Sequence, residues 1–96
     1  MMDSNNFLKL YEMKIINKNT LIKCKYYDKI FGDVYGIITD IFVIDNIKVN
    51  NNEIFIECFR NAFNNRYLMK PENIIEIDGM SVSRLENLFL KRRNNL

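Results

Sequence analysis

The sequence predicts a mainly β fold: a small, strongly bent antiparallel barrel of about five strands, with a short helix before it and another after it. Three observations predict this. Residues Leu21 to Tyr27 alternate, placing Ile22, Cys24 and Tyr26 on one face and Lys23, Lys25 and Tyr27 on the other, the period of a half-buried strand. The β-rich run Val34 to Ile44 is interrupted by Gly36; a glycine there marks a bulge or a bend where a sheet can curl over its own core. No strand–helix–strand alternation occurs, which argues against a parallel sheet.

Residues 1–6 read as a frayed tail. Phe7, Leu8, Tyr11 and Ile15 share a helical face, with Asp3 or Ser4 available as N-cap, so a short helix is expected over 7–16. The common parity of Phe7, Tyr11, Met13 and Ile15 also half-fits a strand, and Asn17-Lys18-Asn19 ends the segment either way. After the first strand, Asp28 to Asp33 is expected to be a loop around Gly32. Asp45-Asn46 is expected to turn the chain, sending Ile47 to Val49 back as a short strand. Asn50-Asn51-Asn52 makes the next turn. Glu53 to Phe59 is apolar on both faces, with Ile54, Ile56 and Cys58 opposite Phe55 and Phe59, which predicts cover on both sides or a subunit contact. Arg60 to Arg66 reads as a polar loop or a single helical turn, and Tyr67 to Met69 as a short extended piece. Pro71-Glu72 starts a turn, and Asn73 to Ile77 is the last strand, stopped by Asp78-Gly79. Ser83-Arg84-Leu85-Glu86 matches a capping box and starts a helix over 83–94 with Leu85, Leu88 and Phe89 as its apolar stripe. The barrel thus occupies 21–78 of one domain spanning 96 residues.

The lysine-bearing strand Leu21 to Tyr27, the segment Asp33-Val34-Tyr35-Gly36-Ile37-Ile38-Thr39-Asp40 and the ending Pro71-Glu72-Asn73-Ile74-Ile75-Glu76-Ile77 resemble small SH3-like and Sm-like barrels, including short phage and bacterial ones. The resemblance covers about residues 21 to 78 and lacks the paired motifs of true Sm proteins, so it carries over no RNA-binding residue. It implies a fold, and binding rather than catalysis.

Composition narrows the chemistry. There is no histidine, which removes the common general base, the Ser-His and Cys-His dyads and His-ligated metals. No glycine is followed by the Lys-Ser or Lys-Thr of a phosphate loop. Asp28 with Asp33, or Asp40 with Asp45, bracket short segments, but oxygen-ligated ions need more converging carboxylates, so no metal and no cofactor is expected. Cys24 and Cys58 lie in apolar runs and read as reduced core thiols. With neither a signal-peptide pattern nor a long apolar run, a cytosolic protein without membrane contact is expected. The wealth of Asn, Ile, Lys, Tyr and Phe suggests an AT-rich genome, and the small size leans towards a phage or mobile element.

Of the net charge of +2, none resides in the first eighty residues, which carry one more acidic than basic side chain. Such a body is a poor duplex binder. One constellation has the chemistry of a phosphate or nucleotide site: Arg60, Asn61, Asn64, Arg66, Tyr67 and Lys70 offer planar guanidinium forks, amides and an aromatic ring. The same residues also suit a solvated connector whose Phe63 plugs the barrel end. Lys91, Arg92 and Arg93 are a secondary phosphate-contact candidate, although cations at a helix C-terminus are common for dipole reasons alone. Tyr26, Tyr27, Tyr35, Phe55 and Phe59 exceed what one side of a small core needs, and a second apolar face suits a subunit or partner interface. The expectation is a non-enzymatic homo-oligomer that binds a nucleotide or single-stranded nucleic acid. The alternatives are a protein–protein inhibitor of a host defence enzyme and a structural accessory protein.

Overall fold

The computed structural model describes residues 2–60 and 65–90. Helix α1 (Ser4–Glu12) precedes β1 (Leu21–Phe31), β2 (Val34–Asn50), β3 (Glu53–Arg60) and β4 (Arg66–Met69). A 3₁₀ turn at Pro71–Asn73 leads to β5 (Ile74–Ile77) and β6 (Met80–Ser81), and α2 (Val82–Leu85) widens into a π-helical turn over Glu86–Leu90. The mainly β expectation holds, but the barrel does not close. All six strands form one antiparallel sheet in the order β4-β3-β2-β1-β5-β6, so β4 and β6 stand at opposite edges. Helices cover the core-facing side instead of a closing strand pair. Phe7 and Leu10 of α1, with Val82 and Leu85 of α2, join Ile22, Phe42, Ile44 and Ile56 of the sheet in one buried cluster.

Strand register explains which side is buried. Cross-strand partners in an antiparallel pair share a face. Ile22 opposes Phe42, Ile44 opposes Cys58 and Ile56 opposes Met69, and all six of these residues are buried. At the centre, Phe42 meets Tyr67 edge-on with ring centroids 5.2 Å apart and Tyr26 at 5.7 Å.

Several boundaries differ from expectation, each for a local reason. The frayed tail is ordered: Met2 is buried, and the Asp3 carboxylate accepts from the Asn6 amide at 2.8 Å, so the first helix starts before Phe7 and ends at Glu12. Asp28 to Phe31 is strand rather than loop, because β1 continues to a two-residue turn at Gly32-Asp33. Gly36 stays paired with Asp28 and is not a bend; the ribbon's irregularity falls instead on the facing strand at Ile30, between Lys29 and Phe31. The glycine leaves room for Ile30, whose Cδ1 lies 2.6 Å from where a Cβ on Gly36 would stand. Asp45-Asn46 does not reverse the chain but forms an irregularity within β2, where the pairing steps from Ile44–Cys58 to Asn46–Glu57. The reversal falls at Asn51 and Asn52, whose φ values of 51° and 66° suit a tight hairpin turn. The N-cap of the last helix is Ser81, which accepts from the Arg84 amide, and not Ser83. Glu86 accepts from the Asn6 side chain at 2.5 Å and thereby ties α1 to the end of the chain.

Both cysteines are buried and unpaired, as the apolar context of each suggests. Burial pushes the Cys24 thiol up to about 12, helped by nearby Cys58, and burial likewise pushes Cys58 up to about 12. A group with a raised folded-state pKa favours folding fully below its unfolded value, here 9.0, and loses that contribution as pH rises towards the folded value. Melting temperature should therefore fall as pH increases beyond 9. A Cys24→Ala, Cys58→Ala double variant, less stable at neutral pH, should fall less steeply over that range.

Candidate functional site

Strand β5 pairs with β1 only at Ile22, Lys23 and Cys24, and β3 pairs with β2 only from Phe42 onward. Between these limits, residues 25–41 continue as a two-stranded ribbon. Among the described residues, no strand pairs with either of its edges. At its base the Asn73 side chain donates to the Lys25 carbonyl at 3.3 Å, Tyr26 packs against Phe42 and Tyr67, and Asp40 engages Arg60. From Lys25 to Phe31 the ribbon extends roughly 20 Å at the usual strand rise, which accounts for the elongated molecule of 53 × 26 × 21 Å.

This arm is apolar on its outside. Phe31 is 80% exposed, Tyr27 71% and Ile37 63%, and Ile30, Val34 and Tyr35 are each more than half exposed. Register places Tyr27 opposite Ile37 and Lys29 opposite Tyr35 on one face. The Tyr27 and Tyr35 rings stack across it, 6.0 Å apart and 17° from parallel. On the other face Tyr26 opposes Ile38, and Ile30 covers Gly36. An isolated two-stranded hairpin is marginal in water, and monomeric proteins rarely expose contiguous apolar surface of this extent. Charge on the arm is balanced: Lys25 and Lys29 are matched by Asp28 and Asp33, while Asp40 at its base is ion-paired with Arg60.

The residues expected to form a phosphate site are dispersed. Arg60 opposes Phe42 on the core-facing side, where its guanidinium engages Asp40 and hydrogen-bonds to Tyr67. Arg66 opposes Phe59 on the other side of the sheet. There it lies 5.1 Å above the Phe59 ring and reaches Asp45 at 3.5 Å and Glu57 at 3.6 Å. Lys48 contacts Glu57 at 2.6 Å and, with Arg66, holds that carboxyl below its usual value. Tyr67 is a wall of the Phe42 cluster and stands 6.2 Å from Tyr26, so its ring is not a free stacking platform. Lys70 sits at the far end of β4, 5.7 Å from the Phe55 ring. It borders a cleft of about 440 Å³ that also carries Asp3, Glu53 and Glu72, a lining that repels anions. Asn61 and Asn64 lie outside the described residues, as do Lys91, Arg92 and Arg93. Alternation of side chains along β3 and β4 therefore separates the two arginines that proximity in sequence had grouped.

The sequence signal for the arm was the aromatic excess. Phe55 and Phe59 lie on the open face of the sheet, and Tyr27 and Tyr35 on the same face of the ribbon. What sequence reasoning missed was that, among the described residues, no strand pairs with the ribbon beyond Cys24 and before Phe42. No protein-family model, curated protein or solved structure matches the chain.

Proposed function

We propose that this chain is a non-enzymatic protein-binding module that presents the β1–β2 arm to a protein partner. The observation that carries this reading is the run of large apolar side chains, from Tyr27 through Phe31 to Ile37, held out on a ribbon that no other strand pairs with among the described residues. Aromatic anchors at low charge density are what protein interfaces use. Balanced charge favours a protein over a nucleotide or nucleic acid, because phosphate backbones are recognised through a surplus of cations. Arg60 and Arg66, the best phosphate ligands by type, point to opposite sides of the sheet and are engaged with carboxylates.

An SH3-like or Sm-like ancestry remains part of the proposal. Support comes from a leading helix, a long second strand, a 3₁₀ turn before β5 and the return of β5 to β1. On that reading the link between the first two strands is drawn out into the arm, and the sheet is left open.

A photo-crosslinking phenylalanine analogue placed at Phe31, in cells of the native host, tests the proposal. Protein adducts at Phe31 and none at Arg66 are expected. Nucleic-acid adducts, or adducts at Arg66 alone, would return the phosphate-ligand reading to first place.

A further inference from the structure

We propose that the partner of the arm is a second copy of this chain, joined by antiparallel pairing of the open β2 edges about a two-fold axis at Ile37. The inference rests on the reading of the arm as a protein contact and names its occupant.

The two edges of the ribbon are not equivalent. Along β1 the edge carries Lys25, Asp28 and Lys29, and charged side chains are the usual protection against unwanted strand pairing. Along β2 the segment Val34-Tyr35-Gly36-Ile37-Ile38-Thr39 carries no charge and no proline. That composition favours strand addition. One edge is guarded and the other is left available.

The length of the open edge selects the register. It is bounded by the turn at Gly32-Asp33 and by Phe42, whose outer side is occupied by Arg60 of β3. A two-fold axis keeps each side chain on its own face, so it must pass through a residue. Centred at Ile37, the pairing runs from Val34 against Asp40 of the second copy to the reciprocal pair, and it fills the edge without reaching Phe42. Centred at Ile38, it would bring Val34 against Phe42 and collide with β3. Centred at Gly36, it would shorten to five residues. In the Ile37 register Asp40 faces Val34, so no like charges oppose each other.

The result is a four-stranded sheet in which Tyr27, Tyr35 and Ile37 of both copies share one face. The second β2 takes up the row that β3 leaves at Phe42. Across the seam Tyr35 stands beside Thr39 of the second copy and Ile37 beside its own counterpart, so uncharged side chains face one another along the centre of the pairing.

Sedimentation equilibrium of the purified full chain tests the assignment. The wild type should sediment as a dimer at micromolar concentrations. Ile37→Lys, which sets two ammonium groups against each other at the axis, should weaken dimerisation by at least about 100-fold. Its far-UV circular dichroism should be unchanged, because Ile37 is exposed. Register is read by cysteine oxidation. Ile37→Cys should give disulfide dimers, whereas Tyr35→Cys and Thr39→Cys should each cross-link poorly alone and readily when mixed. A monomeric wild type overturns the proposal, as does a dimer that survives Ile37→Lys and fails to cross-link at position 37. A monomer whose Phe31 crosslinks to a different protein overturns the second copy as occupant while leaving the arm as a protein-binding element.

Discussion

Replacing Phe42 by alanine is expected to destabilise the fold by about 3–5 kcal/mol, the usual cost of emptying a buried phenylalanine site. Phe42 is fully buried and its ring contacts both Tyr26 and Tyr67. Its removal leaves those two rings facing a void and weakens the packing between β1, β2 and β4 at once. Small domains have only about 5–15 kcal/mol of stability in total, so the variant should be largely unfolded under mild denaturant. Urea titration followed by tyrosine fluorescence measures the loss. Phe31→Ala is the matched control, since that ring lies at the arm tip and is 80% exposed. It should stay within about 0.5 kcal/mol of wild type. Similar losses for the two variants would mean that the tip is packed and that no projecting arm exists.

The triple substitution Tyr27→Thr, Phe31→Thr, Tyr35→Thr is expected to have the largest effect on association. Threonine retains β propensity, so the ribbon keeps its strand character while losing the stacked pair and the tip ring. Buried aromatic anchors each contribute about 2 kcal/mol or more at interface hot spots. Of the three, Tyr35 lies on the paired strand and enters a symmetric dimer twice, so self-association should weaken by roughly 1,000-fold. Urea midpoint should barely move, because Ile22–Phe42 and the remaining core pairs lie outside the arm. Together with Phe42→Ala, this variant separates the part of the chain that folds from the part that binds.

The alternation of Ile22, Cys24 and Tyr26 located β1, and the mixed faces of Glu53 to Phe59 announced a strand with apolar side chains on both sides. A cap at Asp3 or Ser4 was legible because short acceptors before an amphipathic run favour that role, and the structure selects Asp3. Other features were illegible for physical reasons. Asp45-Asn46 has turn composition, yet pairing with β3 on both sides of it converts the same residues into a β2 irregularity. Gly36 was a reasonable bend, but its missing Cβ serves the approach of Ile30, a cross-strand contact that local sequence does not encode. Ser81 and Ser83 both stand near the start of the helical run, and only the end of β6 decides which one caps. Grouping Arg60 with Arg66 as one phosphate site rested on spacing in sequence, which does not fix the side of a sheet. Arg60 ends β3 and Arg66 starts β4, and the register Phe59–Arg66 sends the two guanidinium groups to opposite sides. Conversely, the arm depends on where β3 and β5 stop pairing, a property of the whole sheet.

Whether the ribbon needs a partner is read most directly by amide hydrogen exchange at two protein concentrations. In a dimer that dissociates on dilution, the outward-facing amides of residues 34–40 should exchange slowly in concentrated solution and rapidly when dilute. Amides of Ile44 and Ile56 should remain slow in both. Rapid exchange along 34–40 at every concentration, or slow exchange that dilution leaves untouched, would contradict the view that these strands wait for a second chain.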